Sequence, residues 1–242
     1  MLTSVRTWLA PAAAAVLAAG LAGCSGTTSS ASPTPSAPAS FPEPGKVILH
    51  DPFDDDSNGW GIINSPEYGT ADYEGGSYVW KTTGRVVSLV PEILGKKFDS
   101  GALSMSDVVM DADVTINKGG GVVGLQCRNS PDTDAGYQWY DFVARDGYIA
   151  IQLADDRSNI DVLAESKDVT IPLGKTFSIS GACITAGDDV QLTLAINHEP
   201  LLAATVPAKP TDGAPGLVGW THPMHSELDA AWDQFTVSTP AA

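Results

Sequence analysis

Glu227, Asp229 and Asp233 fall in the segment ELDAAWD, spaced so that a β-strand would turn all three to one face. Two carboxyl groups held at a defined separation can hydrolyse a glycosidic bond, one as acid and the other as base or nucleophile. These three are the candidate catalytic residues. The chain carries 29 Asp+Glu, so the same spacing is also what a solvated strand face produces. No Gly-x-Ser-x-Gly nucleophile elbow is present.

Two further sets have chemistry in their side chains. Asp51, Asp54, Asp55 and Asp56, with Ser57 and Asn58, make an oxygen-rich loop, and Ca²⁺ draws its about six to eight oxygen ligands from such loops. The spacing is not that of an EF-hand, and acidic turns also form because Asp and Asn bond their own backbone. His222 and His225 lack the close further ligands that zinc requires. Tyr137, Trp139 and Asp141 share one parity, with Gln138 between them and Arg128 on the preceding strand. Rings that stack and polar groups that orient are the chemistry of a sugar platform, and Tyr148 and Trp220 extend the set. Trp and Tyr also fill sandwich cores, so the pattern alone leaves both uses open.

Strands must position these residues, and the chain supplies them in quick succession. Residues 119–153, GGGVVGLQCRNSPDTDAGYQWYDFVARDGYIAIQL, read as three strands and two turns. Val123, Leu125 and Cys127 oppose Val122, Gly124, Gln126 and Arg128; the stretch 137–144 is aromatic-rich; Ile149, Ile151 and Leu153 alternate with Tyr148, Ala150 and Gln152. Arg145-Asp146-Gly147 is a tight-hairpin signal. Val108, Met110, Ala112, Val114 and Ile116 alternate with Val109, Asp111, Asp113 and Thr115 just upstream. Shorter strands are expected at 47–49, around Tyr78 and Trp80, and at 86–90, 177–183, 190–196, 201–206, 217–220 and 232–237. No segment sustains a helical period. The expectation is one all-β domain, an antiparallel two-sheet β-sandwich.

The N-terminus points to export. Arg6 precedes an apolar, Ala-rich run over 8–21 that is too short to span a bilayer comfortably and fits a cleaved signal peptide, 1–23. Leu21-Ala22-Gly23-Cys24 resembles the lipobox of bacterial lipoproteins, in which cleavage leaves the Cys first in the chain with lipid on its sulfur. Residues 24–45 would then be the lipidated Cys24 and a Ser/Thr/Ala/Pro-rich linker, and 46–240 the folded domain. The expected location is the outer face of the cell membrane, with that membrane a partner through the lipid anchor. A net charge of −16 disfavours nucleic acid. Lipidation of Cys24 leaves Cys127 and Cys183, which an oxidising compartment would pair; two separately buried thiols is the other reading.

The order of DPFDDD, GGSYVW, GVVGLQCR, YDFVARDGYIAI, LTLAINHEPL, GLVGW and AWDQFTV resembles that of concanavalin A-like (laminin-G-like) jelly rolls, which many bacterial lipoproteins carry. The resemblance covers 46–238 and implies a jelly-roll sandwich. It implies a fold rather than an activity, since such domains bind sugars, bind proteins or cleave glycans; the expected function is a non-catalytic binding module for carbohydrate or cell-wall polymer, with a glycan hydrolase or an envelope-protein-binding accessory as alternatives. Jelly-roll glucanases carry Glu-x-Asp-x-x-Glu; here Trp232 stands at the third acid and Asp233 comes one residue later. The similar 3-keto-disaccharide hydrolase-like domains often show Gly-aromatic-Glu, where this chain has Gly136-Tyr137-Gln138, and Gln cannot exchange a proton. The resemblance also implies a structural Ca²⁺ between the opening loop and the last strand, adding Asp233 to the four loop aspartates, and no other cofactor. Asn197-His198-Glu199 replaces an Asn-Gly turn, which implies a looser or longer hairpin there.

Overall fold

The alternation that begins at Val108 builds β6 (Val108–Gly119), the strand about which the larger of two sheets is assembled. The computed structural model describes residues 40–66, 69–82, 87–89, 105–132, 136–155, 159–221 and 227–242. The leader, Cys24, most of the linker, His222 and His225 lie outside the described residues. Among the described residues every regular element is a strand, and all pairings are antiparallel.

On one side of β6 lie β11 (Thr176–Ala186), β12 (Asp189–Ile196) and β13 (Glu199–Pro207); on the other lies β15 (Leu228–Pro240). The far edge of β15 is shared. Its first half pairs β4 (Ser77–Thr82), which continues to β3 (Gly69–Glu74) and β2 (Ile63–Ser65). Its second half pairs β1 (Pro44–Asp51). The smaller sheet runs β10 (Ile160–Ser166), β9 (Tyr148–Asp155), β8 (Gly136–Arg145), β7 (Val122–Asp132), β14 (Ala214–Trp220), β5 (Val87–Leu89).

The core fills the space between the sheets with alternate residues of each strand. Met110, Ala112, Val114 and Ile116 of β6 belong to the same apolar cluster as Leu125, Phe142 and Ile151 of the smaller sheet. Each large side chain so buried contributes roughly 1.5–3 kcal/mol. The edge strands β2 and β10, and β3 beside β2, are not evident in the sequence, because their outward residues blur the alternation. β10, IDVLAES, buries only Ala164 fully.

Gly119 ends β6 where the chain crosses to the other sheet. Its φ is +94°, and a Cβ there would come 2.0 Å from the carbonyl oxygen of Glu227. Only glycine fits this corner. The sheets are also joined covalently, since Cys127 on β7 and Cys183 on β11 form a disulfide with a Cα–Cα distance of 6.7 Å.

The β8–β9 hairpin turns at Asp146-Gly147, as the Asp-Gly signal requires. The β12–β13 hairpin corrects an expectation. It is a tight two-residue turn, Ile196 opposite Glu199, with Asn197 at φ +51° and His198 at φ +64°. Asn tolerates this left-handed conformation. It is held there because its N–H donates to Ser178 O at 2.9 Å while its Oδ1 accepts from Ser178 N–H at 3.1 Å. His198 makes no such pair of hydrogen bonds; its side chain is 77% exposed, with Nδ1 3.8 Å from Asp111 Oδ2. His198→Gly is therefore expected to stabilise the domain by about 1 kcal/mol, raising Tm by about 2–4 °C in a thermal melt. An unchanged or lower Tm would show that the turn carries no strain.

Candidate functional site on the outer face of the smaller sheet

An antiparallel sheet with one solvated face alternates apolar and polar residues. β7, β8 and β9 obey this inward, with Leu125, Phe142 and Ile151 in the core, but not outward. Their outer positions form rows running across the strands. One row is Gly216, Gln126, Asp141, Gln152 and Val162, each opposite the next. The row beside it is Val218, Gly124, Val143, Ala150 and Glu165. Val122, Val143, Ala150 and Val218 make an apolar cluster separate from the core, with Trp220 and Tyr148 packed against it. Arg145 lies over the Tyr148 ring, its guanidinium carbon 5.1 Å from the centroid.

Gln126, Asp141 and Gln152 are at most 1% exposed, and Trp139, two residues from Asp141 on the same face, is 5% exposed. Gln152 Nε2 donates to the Tyr148 hydroxyl at 3.2 Å. Asp141 Oδ1, Gln152 Oε1 and the indole Nε1 of Trp139 and of Trp220 have no hydrogen-bond partner among the described residues. A buried polar atom left unmatched costs about 1–3 kcal/mol; these four stand on this sheet face, and others, on Trp80, Trp232 and Ser178, lie elsewhere in the sandwich. Burial pushes the Asp141 carboxyl well above the usual carboxylate range. Trp139 lies near enough to oppose that rise without making a well-formed hydrogen bond. A carboxyl so placed holds its proton further up the pH scale and can donate as well as accept. Burial likewise pushes the Tyr148 phenol up.

The expected ligand set divides. Trp139 and Asp141 are on this face, and Tyr137, of the same parity, is 44% exposed farther along β8. Gln138 is of the opposite parity and half-buried. Arg128 sits at φ +54° where the β7–β8 register slips between Cys127 and Ser130. That bulge re-aims its side chain. Nε donates to Ser106 O at 2.8 Å, Nη1 to Pro210 O at 3.3 Å and Nη2 to Thr185 Oγ1 at 2.9 Å. With Asp107 3.7 Å away, the guanidinium ties loop to sheet rather than facing a ligand. Gln152 was within reach of sequence reasoning, because a two-residue turn at Asp146-Gly147 puts it opposite Asp141. Gln126 was not, because the same bulge offsets β7.

The three candidate catalytic acids lie elsewhere. Leu228, Ala230 and Trp232 point into the core, which turns the acids to the outer face of the larger sheet. Glu227 pairs with Lys118 at 2.9 Å, Asp229 accepts from Asn117 Nδ2 at 3.1 Å, and Asp233 accepts from Ser77 Oγ at 2.7 Å. A register shift between Trp232 and Gln234 breaks the even spacing.

The calcium loop does not fit its ion. Asp51 is 1% exposed and both oxygens are in use, Oδ1 accepting from Phe53 N–H at 2.8 Å and Oδ2 from Trp60 Nε1–H at 2.7 Å. Asp55 accepts from Ser57 N–H at 2.9 Å, an Asx turn. Asp54 and Asp56 are exposed. Among the described residues no three His, Cys, Asp or Glu gather closely enough to hold a metal ion, Asp233 included.

No family model and no curated protein sequence matches the chain. Solved structures do. The carbohydrate-binding module CBM66 from Bacillus subtilis aligns at 19% identity over 75% of this chain and 96% of its own, with a TM-score of 0.53. SCLam, a non-specific endo-beta-1,3(4)-glucanase of family GH16, aligns at 12% identity over 86% and 95%, TM-score 0.54. A Bacillus subtilis protein of unknown function with a galectin-like fold aligns at 10% identity over 82% and 98%, TM-score 0.56. The fold is a concanavalin A-like jelly roll. At these identities the likeness concerns architecture, and a binding module and a hydrolase share it.

Proposed function

We propose that this protein is a carbohydrate-binding module, for a glycan or cell-wall polymer, held at the outer face of the cell membrane by lipid on Cys24. The observation that carries the reading is the outer face of the smaller sheet. Donors and acceptors on Asp141, Gln152, Trp139 and Trp220 are buried there without protein partners, beside an apolar floor. The part-exposed rings of Tyr148 and Trp220 would stack on a sugar ring, with the buried Asp141, Gln152 and Trp139 forming the polar floor behind them. The similarity of fold to a carbohydrate-binding module supports the same use. Hydrolysis finds less support. The three spaced acids are paired on the other sheet, and the smaller sheet's outer face offers buried Asp141 and, at its edge, Glu165, which forms an ion pair with Lys167.

The test is retention of the protein on a panel of insoluble and immobilised glycans. Specific retention is expected, weakened tenfold or more by Trp139→Ala and by Trp220→Ala, the loss of about 1.4 kcal/mol or more of binding. Retention on no glycan would sink the reading and leave a protein partner. Release of shorter sugars from the retained polymer would replace it with the hydrolase. The anchor has its own check: the wild type should enter the detergent phase on phase separation and Cys24→Ser should stay in the aqueous phase. Identical partitioning would remove the lipid.

A further inference from the structure

A cavity of about 490 Å³ opens on the outer face of the larger sheet, away from the face just described. Phe41 and Pro42, which lead into β1, wall it with Val47 and Val109. Its floor is polar. Ser180 Oγ donates to Asp111 Oδ2 at 2.6 Å, and Asp111 keeps 31% of its side chain exposed. His198 Nδ1 stands 3.8 Å from the same carboxylate oxygen, on a side chain 77% exposed at the rim. The lining holds two carboxylates, Asp111 and Glu43, and neither Lys nor Arg.

That combination selects by charge. An aromatic and aliphatic wall receives hydrocarbon, and a cation beside Phe41 is attracted both by the ring and by Asp111. A neutral ligand of the same shape gains only the burial. An anion is repelled, and the net charge of −16 draws cations toward the surface generally. A volume of this size suits a small molecule.

We propose that this cavity binds a small organic cation, an alkylammonium or quaternary ammonium compound, with its charge on Asp111 and its hydrocarbon against Phe41. The site is independent of the carbohydrate reading and stands or falls apart from it. Choline and its uncharged carbon isostere, 3,3-dimethyl-1-butanol, are the probes, titrated into the whole chain by calorimetry or ligand-observed NMR. Choline is expected to bind at least tenfold more tightly than the isostere. Asp111→Asn, which still accepts the Ser180 hydrogen bond, should abolish the difference, and Trp139→Ala should leave it unchanged. Equal binding of the two probes to the wild type, tighter binding of glucose than of choline, or no saturation by choline at tens of millimolar would overturn the proposal. The wild-type comparison decides even if the Asp111 variant folds poorly.

Discussion

Unfolding in urea with a reductant present is expected to need roughly 4 kcal/mol less than without it, because the Cys127–Cys183 bridge closes a 56-residue separation in the unfolded chain. Both cysteines are fully buried between the sheets, so a reductant meets them only as the protein opens. The loss should therefore appear in the equilibrium midpoint rather than as rapid attack on the native state. The bridge joins β7 of one sheet to β11 of the other, so it holds the two layers together. Replacing both cysteines by Ala should lower stability by a similar amount, plus the cost of the space left behind. Two thiols alkylating in the unreduced protein would contradict the bridge outright. Identical midpoints with and without reductant would contradict its stabilising role.

Replacement of Asp51 by Ala is expected to cost about 3 kcal/mol, read from the urea midpoint. The carboxylate is buried and receives two hydrogen bonds, from the Phe53 backbone and the Trp60 indole. Removing it strands both donors. It also releases the ring cluster they position: Phe53 stacks 5.7 Å from Tyr78, and Trp60 meets Phe235 edge-on at 5.4 Å. The Trp60 backbone N–H donates to the Tyr73 hydroxyl at 3.1 Å, and the Tyr78 hydroxyl donates to Gly61 O at 2.7 Å. Asp51→Asn separates charge from geometry. An amide has one acceptor oxygen and turns its NH₂ toward the second donor, so it too should destabilise, though by less. A neutral result for both variants would mean that water replaces the carboxylate without loss. Added calcium bears on the same loop, since a bound ion would raise Tm by mass action; with both Asp51 oxygens in use, equal melts with calcium and chelator are expected.

Much of the architecture is legible in local patterns. Period-2 alternation at Val108 to Ile116 and at Tyr148 to Leu153 announces strands with one buried face, and Asp146-Gly147 announces a two-residue hairpin, because strand pleat and turn conformation depend on near neighbours. The same hairpin sets Asp141 opposite Gln152 before any tertiary information enters. The pairing of Cys127 with Cys183 was one of two readings the sequence left open, and the structure decides it.

What the tertiary structure alone decided is which layer each face belongs to. Parity shows that Glu227, Asp229 and Asp233 lie opposite Leu228, Ala230 and Trp232, but not that their strand belongs to the larger sheet, remote from Trp139. Nor does parity survive a bulge. One extra residue after Cys127 turns Arg128 from the expected ligand face into the Ser106, Thr185 and Pro210 contacts. Asp51 reads as a calcium-loop or turn acid until Trp60, nine residues on, closes over it. In each case the deciding contact comes from a part of the chain whose position is set by sheet pairing and layer packing. Side-chain alternation carries no information about those long-range choices, so the sequence determined the strands and their two faces, and the packing of one sheet on the other determined what each face meets.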